Sequence, residues 1–212
     1  MFYDILDKKR LEIIHHFINF KDKFYLAGGT SLALQIGHRD SFDFDFFSDE
    51  QFDTEKLFQK VKDIFKDHDI KKIYEEKNTL TVALDNSIKI SFFYYKYPLI
   101  DKLIDEPFLK LASKEDIGCM KLTATTGRSS NKDYVDLYYI LQTIRLEELL
   151  KKAEKKFKDI DINLILKSLV FTGDIENEPI MFKHSRRIGM DKIGDFLKKE
   201  VKKAELERIK WA

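Results

Sequence analysis

Cysteine is nearly missing from this 212-residue chain. With Cys119 alone, no internal disulfide can form and a Cys-rich zinc site is excluded. Only 3 prolines and 8 glycines punctuate the sequence, and no Ser/Gly/Pro-rich linker or internal repeat interrupts it. No apolar run approaches the roughly 20 residues that a membrane span needs. The opening MFYDILDKKRLEIIHHF carries charges every few residues, unlike the apolar core of a signal peptide. Charge of one sign is also lacking: 38 basic against 37 acidic residues leave a formal +1. That balance excludes coating nucleic acid or membrane by bulk charge and leaves room for a local basic patch. The expectation is a soluble protein of a reducing compartment, cytoplasmic and without a membrane partner.

Apolar material is plentiful. The hydrophobic fraction is 43%, with 18 Phe and 9 Tyr, enough for a sizeable core. Tyr3–Phe20 has apolar residues, Leu11 and Ile18 among them, at helical spacing, which predicts an amphipathic opening helix. Phe24–Ala27 reads as a buried strand stopped by Gly28-Gly29, and Thr30–Ile36 as a helix. Ser41–Phe47 alternates aromatic and acidic residues, the period of a strand; Phe52–Phe65 returns to a helical pattern. Ile70–Tyr74, Thr79–Leu84 and Ile88–Tyr94 are strand-like, the last two joined by a hairpin turn at Asp85-Asn86-Ser87. From Lys114 onward five helices are predicted: Glu115–Thr125, Lys132–Thr143, Leu146–Phe157, Asn163–Val170 and Asp191–Arg208. The composition changes between Pro98 and Pro107, which divides the chain into an α/β (α+β) half, residues 1–105, and a helical half, residues 106–212.

Chemistry is concentrated in FYLAGGTSLALQIGHRDSFDFDFF, Phe24–Phe47. On a strand, residues i and i+2 share a face, so Asp43 and Asp45 project together about 7 Å apart at Cα, with Phe42, Phe44 and Phe46 turned to the core. Paired carboxylates repel unless a positive charge stands between them, and Mg²⁺ takes oxygen ligands of this kind, commonly one or two carboxylates plus substrate phosphates. Gly28 and Gly29 allow close backbone approach, and the helix that follows directs its N–H groups at an anion, with Thr30 and Ser31 adding hydroxyls. Phosphates on a helix N-terminus beside metal-binding carboxylates outline a phosphoryl-transfer site. His15, His16 and His68 lack metal-ligand spacing, and Cys119 beside Met120 suits a core. The Lys-rich segments 151–158 and 197–203 read as solvated helix faces; clustered with Lys183, Arg186 and Arg187 they would form a surface for RNA phosphates.

Gly-Gly-Thr, twelve residues, then Asp-Phe-Asp resembles the signature of the DNA polymerase β-like nucleotidyltransferases. The surrounding LAGGTSLALQIGHRDSFDFDFFS more closely resembles the AbiEii/AbiGii-type toxins of bacterial type IV toxin–antitoxin systems, including the basic pair His38-Arg39 before the acidic strand. The likeness continues through Lys121, Arg128 and the segment Lys132-Asp133-Tyr134-Val135-Asp136-Leu137. It implies a small mixed-sheet nucleotidyltransferase core followed by a helical domain. Asp43 and Asp45 would bind Mg²⁺ and the nucleoside triphosphate, with Gly28, Gly29, Thr30, Ser31, Arg39 and Arg128 on its phosphates. Lys121 would neutralise phosphate charge, and Asp136, or else Asp133, would assist catalysis. It further implies transfer of a nucleoside monophosphate to the 3′ end of tRNA and a cognate antitoxin. An ordinary ion pair between Lys132 and Asp136, four apart on a helix, is the competing reading of the second motif. One departure stands out: superfamily members often carry a third carboxylate in a context like Ile-Lys-Val-Asp-Phe, where this chain has Ile88-Lys89-Ile90-Ser91-Phe92. Serine is neither a general base at neutral pH nor a full carboxylate ligand. Either Asp136 covers the role, or activity is reduced, or the chain binds nucleotide without turnover; a small-molecule, aminoglycoside-type nucleotidyltransferase is a further alternative.

Overall fold

In the computed structural model, which describes residues 1–209 other than 129, 172 and 174, the alternating first half becomes one mixed sheet. Its strands are β1 (Tyr25–Ala27), β2 (Phe44–Ser48), β3 (Ile70–Glu76), β4 (Thr79–Leu84), β5 (Ile88–Tyr94), β6 (Ile104–Asp105) and β7 (Lys110–Leu111). They lie in the order β3-β4-β5-β2-β1-β7-β6, with β2 parallel to β5, β1 parallel to β7, and the other neighbours antiparallel. The pleat sorts the side chains. Phe44 and Phe46 of β2 and Ile88, Ile90 and Phe92 of β5 face the core, where Phe46 stacks on Phe92 at 5.4 Å and Phe17 meets Phe44 edge-on at 4.7 Å. Asp45, Phe47, Ser91 and Phe93 thereby share the opposite face.

The chain divides into two compact units, Met1–Pro98 with Lys102–Ala112, and Leu99–Asp101 with Ser113–Ala212. In the first, the opening helix is interrupted: a 3₁₀ turn at Tyr3–Ile5, α1 (Lys8–Ile13) capped by Asp7, then a 3₁₀ segment Ile14–Phe20. The buried residues Ile14, Phe17 and Phe20 recur every third position, the period of a 3₁₀ helix, while Leu11 and Ile18 face solvent, against expectation. α2 (Gly28–Ile36) ends at Gly37, left-handed at φ 63°, and α3 (Thr54–Ile64) is capped by Asp53.

The acidic strand is shorter than its pattern predicts. β2 starts at Phe44, so Asp43 precedes it, and Phe42 is 40% exposed instead of facing the core. The cause is competition for backbone acceptors: Arg10 Nε donates to the Phe42 carbonyl at 2.7 Å, and the Thr30 hydroxyl donates to that of Asp43. These side-chain bonds hold residues 42 and 43 outside the ladder. The Arg10 guanidinium also lies over the Phe42 ring and donates to the Ser87 carbonyl at 2.6 Å.

The second unit contains α4 (Lys114–Gly127), α5 (Asn131–Ile140), α6 (Leu146–Lys156), α7 (Ile162–Val170) and α8 (Met190–Ile209). Each buries a stripe of helical period, such as Leu146, Leu149, Leu150 and Ala153 of α6 and Ile193, Leu197, Val201 and Ala204 of α8. Asp116 and Lys156 form a fully buried ion pair at 2.7 Å. Asp116 also accepts from the Ser113 hydroxyl and from the amides of Ile100 and Asp101, which ties residues 99–101 to the helical unit. Lys156 therefore leaves the solvated face expected for residues 151–158.

Candidate active site

β1 ends at Ala27 and the chain turns at once into α2. Gly28 has φ +69°, which glycine adopts without a steric penalty. Close approaches add a second requirement: a Cβ on Gly28 would lie 3.3 Å from Asp45 Oδ2, and one on Gly29 only 2.5 Å from Arg39 Nη2. The two glycines let a carboxylate and a guanidinium reach the same turn. Asp45 arrives there because its β2 position pairs with Ala27 of β1. Arg39 is buried, and its Nη1 donates to the Asp40 carbonyl at 3.0 Å. The first N–H groups of α2 have no acceptor within the helix, so the turn presents backbone donors, a dipole end and a guanidinium together.

Thr30 and Ser31 are buried, with hydroxyls engaged inside the fold. Thr30 Oγ1 bonds the Asp43 carbonyl and lies 2.8 Å from Ser41 Oγ, while Gln35 Nε2 donates to Ser31 Oγ at 3.3 Å. Asp43 is half-exposed, and its Oδ2 lies 3.3 Å from Lys89 Nζ on β5, which is also half-exposed. Nothing in the periodicity marked Lys89. The signal was its place two residues before Ser91, hence on the same face. Ser91 stands directly opposite Asp45 in the parallel β2–β5 register, is 1% exposed, and accepts from the Thr81 hydroxyl at 3.3 Å. The carboxylates of Asp43, exposed, and Asp45, partly exposed, are hard oxygen donors, and the missing Cβ at Gly28 leaves room beside Asp45, so these residues fit a divalent cation of the Mg²⁺ type. Among the described residues, no group of three His, Cys, Asp or Glu is gathered that could hold a metal without further ligands.

In the helical unit, Lys121, Asp133 and Asp136 are brought together. Lys121 Nζ lies 2.6 Å from Asp133 Oδ1 and 2.7 Å from Asp136 Oδ2, all three side chains buried. Arg128 closes the group from outside, its Nε 2.7 Å from Asp133 Oδ2 and its own side chain 64% exposed. Asp136 thus pairs with Lys121, and Lys132 instead reaches Glu178 Oε2 at 2.6 Å, which rules out a Lys132–Asp136 surface pair. Glu178 also accepts from the Ser130 hydroxyl at 2.8 Å, and its carboxyl is held below the ordinary range by Lys132 first and Ser130 second. Cys119, on α4, is buried against the Leu149 carbonyl, and burial pushes its thiol up to about 12. His15 packs beside His16, His68 pairs with Asp85 and Cys119 faces Leu149, apart from both groups.

The profile of the nucleotidyl transferase AbiEii toxins of type IV toxin–antitoxin systems matches residues 15–211. The chain belongs to this AbiEii family. It is 38% identical over 161 residues, 73% of its length and 76% of the other's, to an uncharacterized protein of Aquifex aeolicus (strain VF5). Among solved structures, this AbiEii protein resembles MenT4, a nucleotidyltransferase toxin of Mycobacterium tuberculosis H37Rv, with a TM-score of 0.62 at 15% identity over 91% of this chain and 80% of that one. It also resembles JHP933 of Helicobacter pylori, with a TM-score of 0.57 at 17% identity over 96% and 94% of the two chains. At such identities the likeness speaks for the fold: a mixed α/β nucleotidyltransferase fold. As an AbiEii protein the chain is a nucleotidyltransferase, and its family is that of type IV toxins.

Proposed function

We propose that the chain transfers a nucleoside monophosphate from a nucleoside triphosphate to a hydroxyl at the 3′ end of tRNA, with Mg²⁺ held by Asp43 and Asp45. The observation that carries this is the Asp45 carboxylate lying against the Gly28-Gly29 turn with the Arg39 guanidinium on the same turn. A metal-binding carboxylate and a phosphate-binding helix start are thereby neighbours. The backbone N–H groups at the start of α2 and Arg39 bind phosphate oxygens, and Thr30 holds the Asp43 carbonyl in place. When bound, the ion supplies positive charge to the transferring phosphoryl group and its leaving pyrophosphate. In phosphoryl transfer, positioning and charge neutralisation are most of what a protein must provide.

For the family's second motif, the proposed roles are Lys121 as a neutraliser of phosphate charge, Arg128 as a phosphate ligand and Asp136 as an aid to catalysis. Of these, Arg128 alone is largely exposed. The AbiEii family supports a cognate antitoxin as partner and growth inhibition as the effect, and the single cysteine is in keeping with a reducing cytoplasm. The test is label transfer from each of four α-³²P nucleoside triphosphates to total bacterial tRNA with Mg²⁺. Wild type labels tRNA, and the Asp43→Ala/Asp45→Ala variant loses about three orders of magnitude, since the ion is worth several kcal/mol to the transition state. Unlabelled tRNA, with label passing to an aminoglycoside instead, would overturn the RNA acceptor.

A further inference from the structure

We propose that the single-stranded 3′ end of the acceptor RNA lies along the outer face of β2 and β5, its unpaired bases stacked on Phe47, Phe93 and Tyr95. The inference rests on the RNA acceptor of the proposed function and names the surface that would hold it.

The strand registers sort the outer face into two rows. Ala27, Asp45, Ser91 and Thr81 face one another across β1, β2, β5 and β4. One pleat repeat further, about 7 Å away, the same registers align Tyr25, Phe47 and Phe93. A polar row carrying Asp45 thus borders an aromatic one. The Phe47 ring centroid lies 6.1 Å from that of Tyr25 and 5.2 Å from that of Phe93. Tyr95 continues the row at 5.4 Å from Phe47, and Tyr97 follows at 5.1 Å from Tyr95. The core lies on the opposite face, with Phe44, Phe46, Ile90 and Phe92. Phe47, Phe93, Tyr95 and Tyr97 are instead partly exposed.

With 38 basic against 37 acidic residues, the chain has little bulk charge to offer RNA phosphates. Stacking on aromatic rings is the other source of affinity for a single strand, and it accepts any base because each has a π-face. A donor nucleotide brings one base, and four partly exposed rings in a row are more than one base covers. The spacing also suits attack at Asp45. One ribose joins an attacking hydroxyl to its base, so a 3′ hydroxyl beside this carboxylate puts the terminal base over Phe47 and Phe93. The preceding base then meets Tyr95, just past the end of β5. Lys96 is exposed there, its ammonium 5.6 Å from the Tyr97 ring centroid, in place for a phosphate of the departing strand.

The test uses the full chain with Mg²⁺, a mixture of four α,β-methylene nucleoside triphosphates, and a single-stranded tetraribonucleotide ending in 2-aminopurine, whose emission stacking quenches. Wild type is expected to quench it, with affinity falling no more than about tenfold between about 50 and 200 mM salt, as for one or two phosphates. Phe47→Leu/Phe93→Leu keeps apolar volume without the ring planes, and is expected to bind about tenfold more weakly or worse, without quenching. Because these side chains are partly buried, Phe93→Tyr is measured beside it; it keeps a ring and the wild-type affinity. An equal loss in Phe93→Tyr would make the row structural and overturn the inference. Full affinity and quenching in the Leu variant, or no quenching by wild type, would overturn it too, while label transfer to tRNA stands by itself. Quenching of a 2-aminopurine nucleoside triphosphate analogue that the Leu variant loses would assign the rings to the donor base and overturn it likewise. Label passing to an aminoglycoside instead of tRNA would overturn the RNA acceptor beneath both.

Discussion

Two groups of carboxylates and cations in this chain look alike in sequence and differ in kind. At the sheet, Asp43 meets Lys89 at 3.3 Å with both side chains about half-exposed. In the helical unit, Asp133 and Asp136 grip Lys121 at 2.6 and 2.7 Å with everything buried. The first group stays hydrated, so little is lost when its partners change, and an ion or a phosphate can enter. The second has given up its hydration, so each charge depends on the others. Spacing in the sequence does not separate these cases. Burial does.

The comparison is broken most directly by deletion of a buried cation. Lys121→Ala leaves two carboxylates facing each other without water, and should lower stability by about 3–5 kcal/mol, read from denaturant unfolding. Asp43→Ala should leave the same midpoint within about 0.5 kcal/mol, as surface substitutions do. If the two variants melted alike, the distinction would fall.

The glycine turn sharpens it further. In Gly29→Ala, the new Cβ would meet Arg39 Nη2 at 2.5 Å, and the guanidinium must move. The expected result is a rise in KM for the nucleoside triphosphate of about tenfold, equal to one charge-assisted hydrogen bond, with the fold retained. An unchanged KM would remove Arg39 from the phosphate site.

A smaller effect depends on pH. The Glu178 carboxyl is held below its ordinary 4.5 by Lys132 and then by the Ser130 hydroxyl. A depressed carboxylate pKa contributes stability above the unfolded value and loses it as pH falls through the folded one. Residues 176–178 are also held by Asn131, whose Nδ2 donates to the Glu178 carbonyl at 2.8 Å. Protection of this segment against hydrogen exchange, relative to the unfolded rate at the same pH, should therefore fall below about pH 4.5, earlier than in the core of α4. In Lys132→Ala the onset should move upward in pH; the opposite direction would contradict the assignment.

Much of the fold was legible because long alternating runs have one reading. β4 and β5 occupy the residues their periodicity marks, and the turn between them takes positive φ at Asp85 and Asn86, residue types that tolerate it. β6 and β7 were not legible, since two residues have no period; pairing of Leu111 with Leu26 makes the strand. The start of β2 departs from the alternating pattern because side chains of other elements, Arg10 and Thr30, bond the Phe42 and Asp43 carbonyls just before it. In the site, Asp45 and the glycines could be found from local spacing, whereas Lys89 depends on a register between strands more than forty residues apart in sequence. Lys156 reads as a solvated lysine in the sequence because its partner, Asp116, lies on another helix.

The most direct test of the central claim, that the sheet's carboxylates are a ligand site, is a thermal melt. Wild type and Asp43→Ala/Asp45→Ala would be unfolded with and without Mg²⁺ and a mixture of four α,β-methylene nucleoside triphosphates. Ligand that binds the folded state alone raises the midpoint, by a few degrees at 100 times its Kd. The account predicts a rise in wild type that requires Mg²⁺ and vanishes in the double variant. An equal rise in the double variant would contradict it.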